Sequence, residues 1–434
     1  MKNKSFWTSE TQMFYEREQI VKAKGCYLWN SNGKKYLDFN SGTWNVILGH
    51  GRPEFKDRLF AQLEDFEYIP NVRFFHKNGV ELADKLLDLL PDKYAHIYFT
   101  SGGAEAVETS VKLARQYWYN KEQKGKTRFI SLYESYHGST LSAMSLSGDP
   151  WSRVPFDPLL KGFLHIYPQY CYKCRLGLQK SNCNYACIKD LKYQIAFYGA
   201  ENICALIIEP IMGVGGVIIP DRKYLTEVVQ ICHENDILII FDEITTGIGR
   251  TGNYFVCQEY GVYPDIILFG KGISNGTQPL AGAIVTNDIF NVFLSPKMEK
   301  QFKHGFTNSG HPLPCCAGKV LLEIFEKENI LLMCREKEKL LKEKFTVLES
   351  KPYIGEIRIK GLMLAIELID PDKKNELIIE SLDVKLRDAG LIASQMCQVI
   401  CLMPPVIITE EQIDVAIEII VKVVEDAINS KQYA

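Results

Sequence analysis

Lys271 stands between two glycines at the close of an apolar run, Ile266–Gly270 (IILFG). Glycines on both sides let the backbone approach something bulky, and a lysine there is an odd choice for solvent. Two readings stay open: a plain loop lysine, or an amine whose burial lowers its pKa until it forms Schiff bases. Other apolar runs end in groups of complementary chemistry. Ile237–Asp242 ends in Asp242-Glu243, where Asp242 is either a turn cap or the holder of a cationic ligand group. Ala205–Glu209 ends in Glu209-Pro210. Phe129–Leu132 is followed by Ser135-Tyr136-His137-Gly138, either a loop packed into the core or a flat platform for an aromatic ring. His96–Thr100 leads into Ser101-Gly102-Gly103-Ala104-Glu105, glycines opening a helix. Such a turn is often mere geometry, yet its backbone N–H groups also suit an anion. It has neither the three-glycine spacing of a dinucleotide site nor the Gly-Lys-Ser/Thr of a Walker loop.

These runs, with Ala281–Thr286, are nearly continuous in apolar character, as strands covered on both faces are. Helical patterns separate several of them. Ala104–Trp118 spaces Ala106, Val107, Ser110, Val111 and Ala114 three or four apart, and Tyr224–Asn235 repeats the pattern. Alternating strands and helices predict an α/β fold with a mostly parallel sheet, whose ligands bind beyond the carboxyl ends of the strands. All the groups above therefore fall on one edge. A phosphate cradle, a stacking aromatic, an acid for a ring nitrogen and a Schiff-base lysine are together what pyridoxal phosphate requires, the acid keeping the ring protonated as an electron sink.

After about residue 312 long charged amphipathic stretches appear (Lys319–Lys327, Arg335–Glu349). A strand at Leu362–Ile369, a helix near Glu376–Ala389 and a closing helix at Glu410–Ile428 follow, predicting a smaller α+β domain. Near the start, Tyr27–Trp29 and Lys35–Phe39 flank Ser31-Asn32-Gly33, the signature of a hairpin.

The 434 residues carry 50 basic against 53 acidic side chains, a formal charge of −3. No basic field is available for a polyanion, so neither nucleic acid nor an anionic membrane is an expected partner. No stretch approaches the ~18 apolar residues a spanning helix needs. Met1–Trp7 is not followed by the apolar core and cleavage site of a signal peptide. Thirteen cysteines in that context predict reduced thiols and a cytoplasmic location. Four of them, Cys171, Cys174, Cys183 and Cys187, have the spacing of a structural zinc site. Disulfide pairing and ordinary loop or packing cysteines are the alternatives.

Ser101–Glu108 (SGGAEAVE), Tyr136-His137-Gly138, Ile208–Pro220 (IEPIMGVGGVIIP), Asp242–Gly252 (DEITTGIGRTG), Pro264–Gly272 (PDIILFGKG), His304–Pro312 (HGFTNSGHP) and Gly361–Leu368 (GLMLAIEL) carry a wider likeness. From about residue 20 to 425 the chain resembles the class III (omega, subgroup II) aminotransferases of the fold-type I pyridoxal phosphate enzymes. The resemblance implies a large cofactor-binding domain (61–311) around a mostly parallel seven-stranded sheet flanked by helices. An N-terminal segment (1–60) and a C-terminal part (312–434) would form the smaller α+β domain.

For the site, the resemblance implies Lys271 as Schiff-base lysine and proton shuttle, and Asp242 as partner of the pyridinium nitrogen. Tyr136 would stack on the ring with His137 beside it, Gly103 and Ala104 would give N–H groups to the phosphate, and Glu209 and Glu243 would support these contacts. Thr307 would reach the phosphate of a neighbouring subunit, which implies a homodimer with shared active sites. Trp44 would line the substrate pocket. Two departures stand out: Ala104 lacks a hydroxyl common at that position, and Ser394 replaces an arginine that grips a substrate carboxylate in many relatives. Arg358 is either its substitute or part of a structural ion pair. The implied activity is ping-pong transfer of an amino group from a primary amine or amino acid to a keto acid or aldehyde. A lyase, aminomutase or decarboxylase on the same cofactor is the alternative.

Overall fold

Apolar runs that alternate with amphipathic helices leave each strand two faces to cover, and the chain covers both. A computed structural model describes residues 18–373 and 375–431; Met1–Trp7 and the start of the expected N-terminal segment lie outside them. The central sheet runs Tyr94–Thr100, Ala281–Thr286, Ile266–Phe269, Leu238–Asp242, Ile203–Ile208, Arg128–Leu132, Phe163–Ile166. Neighbours pair in parallel except at Ala281–Thr286, which is antiparallel to both its partners. Side chains alternate between two cores. Leu206, Ile208, Ile239 and Phe241 pack with helix Arg222–Glu234, whereas Ala205, Ile207, Leu238 and Ile240 pack with helix Gly103–Asn120. Each buried Leu, Ile or Phe among them contributes roughly 1.5–3 kcal/mol. Phe163–Ile166 is the strand the apolar pattern did not reveal; it is four residues long, lies at the sheet edge and is mostly half-buried.

The expected hairpin forms as Tyr27–Asn30 and Lys35–Asp38. Leu391–Ile392 then pairs in parallel with Lys35–Asp38, so the N-terminal sheet incorporates a strand from the far end of the chain. The second small sheet is Ile354–Lys360, Met363–Leu368, Val399–Leu402, Ser394–Met396, backed by the helix Glu410–Asn429. Thr409 and Gln412 close a capping box at that helix start. The helix expected over Glu376–Ala389 is only Leu382–Asp388. Leu377 and Ile379 are buried while Ile378 and Glu380 are exposed, an alternation of period two that suits extended chain.

Candidate active site

One cavity of about 440 Å³ opens at the carboxyl edge of the parallel strands and brings together Gly103, Ala104, Tyr136, His137, Asp242 and Lys271. They are delivered by the ends of four strands or by the turns that follow them. Helix Gly103–Asn120 starts at Gly102 with no side-chain cap, so the first N–H groups of an 18-residue helix face the cavity wall uncapped. Gly138 lies at φ +128°, and a Cβ there would come within 2.7 Å of the Ala104 Cβ. The turn carrying Tyr136 and His137 therefore rests directly on the helix start. The Tyr136 ring is half-buried, its hydroxyl 3.1 Å from Ser139 Oγ.

Asp242 is the last residue of its strand and is buried. His137 Nδ1 donates to its Oδ2 at 2.7 Å, and the Ile244 N–H donates to its Oδ1 at 3.1 Å. Two donors thus fix the plane of one carboxylate inside the cavity. Glu209 lies behind it, accepting from the N–H groups of Tyr136 (3.0 Å) and Gly213 (2.9 Å). Burial pushes the Glu209 carboxyl up, with His137 opposing.

Lys271 follows its strand at φ +42°, a left-handed conformation strained for any residue but glycine. Its Nζ donates to Thr245 Oγ1 at 2.5 Å and lies 4.4 Å from the centroid of the Trp44 ring. Burial pulls the amine down to about 8, against the carboxylates of Glu209 and Asp242 and with the help of the Arg250 guanidinium. An amine whose pKa burial lowers, an oriented acid, an aromatic platform and an uncapped helix start in one cavity fit pyridoxal phosphate.

Not every expected residue lines this cavity. Glu243 turns away: it accepts from the N–H groups of Val256 (2.6 Å) and Cys257 (2.9 Å) and caps the helix Val256–Tyr260. Burial pushes its carboxyl up to about 7. Those two N–H groups occupy both its oxygens. Arg358 is likewise not in this pocket. It lines a separate cavity of about 510 Å³, and its Nη1 pairs with Glu356 (2.5 Å) and Glu367 (2.7 Å), the ion pair that is one of its two expected settings. Ser394 Oγ donates to Asn40 Oδ1 at 2.9 Å, outside the cavity lining. The Thr307 carbonyl accepts from the Tyr68 hydroxyl at 2.7 Å, away from this cavity.

Nor are the four clustered cysteines gathered into one set. All four are free thiols, and among the described residues no set of three or more His, Cys, Asp or Glu side chains gathers where a metal could sit. Their spacing serves a loop whose other residues, Lys173 and Arg175, reach Glu367 (2.5 Å) and Glu134 (2.6 Å). Thr245 and Arg250 were not singled out by sequence reasoning, although both lie in the quoted segment Asp242–Gly252. The signal for Arg250 is a lone arginine among glycines and threonines in the segment that follows a buried strand.

The family model for class III aminotransferases (Aminotransferase class-III) matches residues 9–424. The chain is 34% identical over 429 residues to an adenosylmethionine-8-amino-7-oxononanoate aminotransferase of Methanocaldococcus jannaschii, covering 94% of this chain and 93% of that protein. It is 33% identical to a putrescine–pyruvate aminotransferase of Pseudomonas aeruginosa, covering 91% and 88%. An amine transaminase from an uncultivated Pseudomonas species, solved in its PLP-bound form, superposes with a TM-score of 0.91 at 31% identity, covering 97% of this chain and 98% of that one.

Proposed function

The chain belongs to the class III aminotransferases, which work with pyridoxal phosphate, and on that premise we propose that Lys271 is its reactive amine and that a primary amine is its donor. The observation that carries the reading is the Lys271 Nζ, depressed by burial, in the same cavity as the oriented Asp242 carboxylate. When bound, the cofactor supplies a ring that accepts electrons from the carbon exchanging its amino group. The N–H groups of Gly103 and Ala104 would hold its phosphate, the Tyr136 ring would stack on it, Asp242 would face its ring nitrogen and Lys271 would anchor it covalently. Lys271 Nζ would be the group placed to accept and give back the proton of the carbon exchanging its amino group, a task suited to an amine whose pKa burial lowers to about 8. Thr245 Oγ1 keeps that nitrogen oriented while it waits. His137 holds Asp242 in a fixed orientation.

Among the residues lining the cavity, Lys271 is the one cationic side chain, and Arg358 is already committed to two carboxylates. Within this subunit's lining no guanidinium meets a donor carboxylate, so plain amines and diamines are the donor class to test first, with amino acids, the donors named for other relatives, as the alternative. The donor named for the Pseudomonas aeruginosa relative, putrescine, is of the first class. The reading includes a homodimer, with Thr307 serving the partner's site, and a cytoplasmic location consistent with thirteen free thiols. Lys271→Ala should remove turnover by at least ~10³-fold and abolish borohydride-trapped cofactor on the peptide containing residue 271. Full turnover in that variant would end the assignment. A panel of amines with and without a carboxylate, scored for single-turnover amino transfer, tests the donor class.

A further inference from the structure

We propose that Arg250 is a positioning residue for the reaction, holding the backbone of Trp44 against the reactive lysine through a buried clamp on three carbonyl groups. The proposal rests on the reading of Lys271 given above. Arg250 is 2% exposed. Its Nη1 donates to the carbonyls of Met403 (3.4 Å) and Pro404 (2.9 Å), and its Nη2 donates to the carbonyl of Trp44 (3.2 Å). No carboxylate pairs with it among the described residues. A buried guanidinium without a counter-ion is costly unless its N–H groups are filled, and here backbone dipoles fill them.

The three carbonyls come from separate parts of the chain. Trp44 follows the N-terminal hairpin, Met403 and Pro404 follow the strand Val399–Leu402, and Arg250 follows the strand that ends in Asp242. The neighbourhood is cross-tied: Met403 N–H donates to the Phe39 carbonyl (2.6 Å), Ser41 Oγ to the Met403 carbonyl (2.5 Å), and Leu362 N–H to the Arg250 carbonyl (2.9 Å). Trp44 is therefore fixed by its main chain rather than by its indole, whose buried Nε1 has no hydrogen-bond partner among the described residues. The ring so placed lies 4.4 Å from Lys271 Nζ. A guanidinium fork matches three fixed acceptors; a lysine ammonium on a flexible stem does not.

The clamp has an electrostatic side. The groups facing Lys271 are Glu209 and Asp242, which favour its charged form, and Arg250, which disfavours it. The neutral Thr245 hydroxyl and the Trp44 ring complete its surroundings. Arg250 thus both places the wall over the amine and biases that amine toward the neutral, proton-accepting form.

The test compares native protein with Arg250→Met and Arg250→Lys. Reductive methylation of the full-length, cofactor-stripped chain, mapped at Lys271 by mass spectrometry across pH, reads the amine directly; kcat and KM are measured on the holoenzyme. Arg250→Met should shift the labelling midpoint upward from near 8 and lower kcat/KM by about 100-fold, mostly in kcat. Arg250→Lys should keep the midpoint but still lose about 10-fold in kcat/KM, because charge returns without the fork. If the methionine variant does not fold, the lysine variant carries the test alone. Unchanged midpoint and unchanged kcat/KM in a folded Arg250→Met protein would overturn the proposal, as would an Arg250→Lys enzyme with native kcat/KM. A loss that merely tracks the fraction of folded protein also overturns it. The methylation midpoint stays informative even if Lys271→Ala shows that another residue is the reactive amine.

Discussion

Arg250 and Arg358 are both buried arginines, 2% and 8% exposed, yet they sit in opposite electrostatic settings. Arg358 pairs with Glu356 on its own strand, Ile354–Lys360, and joins that strand to its surroundings through Glu367, the Tyr170 hydroxyl (3.2 Å) and the Gly216 carbonyl (2.8 Å). Burial alone would lower its pKa; Tyr170 and Glu367 outweigh that and hold it above the ordinary arginine range. Arg250 has only main-chain carbonyls, and burial draws it down to about 10. The neutralised arginine joins secondary elements, whereas the one without a counter-ion projects its charge onto Lys271. Burial of a cation thus says little about its role until its partners are known.

The largest effect that would break this contrast comes from Glu367. Burial would push its carboxyl up, but hydrogen bonds from Lys173 and Tyr170 and the charge of Arg358 hold it down at about 2. Glu367→Ala should cost about 3 kcal/mol by leaving Arg358 and Lys173 short of a carboxylate, measured by urea unfolding. The methylation midpoint of Lys271 should not move. A shift there would mean that the two arginines share one network. The same carboxylate sets a pH dependence. Because its folded pKa is depressed, its contribution is full above the unfolded value near 4.5 and is lost as pH falls toward 2. The stability gap between native protein and Glu367→Gln should accordingly narrow from pH 5 to pH 3; a constant gap would remove the ionic account of Arg358.

The contrast also marks what the sequence could and could not convey. Lys271, Asp242 and Tyr136 were legible because each follows an apolar run within a few residues, and parallel strands bring such ends to one edge. Glu209 and Glu243 follow their runs in the same way, yet only Glu209 backs the site. Glu243 is diverted by a helix start thirteen residues further on, Val256–Tyr260, which the apolar pattern does not announce. Arg358 was ambiguous because its partners are set by register: the antiparallel pairing places Glu356 opposite Glu367 across two strands. The four cysteines had metal spacing along the chain, but spacing does not fix how a loop folds, and here it does not gather the thiols.

The finest probe of the contrast is the Tyr170 hydroxyl, which accepts from Arg358 Nη1 and donates to Glu367. In Tyr170→Phe, Arg358 would keep Glu356, Glu367 and the Gly216 carbonyl, and Glu367 would keep Lys173 and Gln398. No buried charge is orphaned, so the expected cost is about 1 kcal/mol in urea unfolding, with kcat/KM unchanged. A loss as large as that of Glu367→Ala would show that the hydroxyl, not the carboxylate, holds the arginine. Arg250 offers no equivalent probe, since its acceptors are main-chain carbonyls that no side-chain substitution removes. A network of side chains can lose one member and redistribute the charge, whereas a clamp on backbone depends on the one residue that makes it.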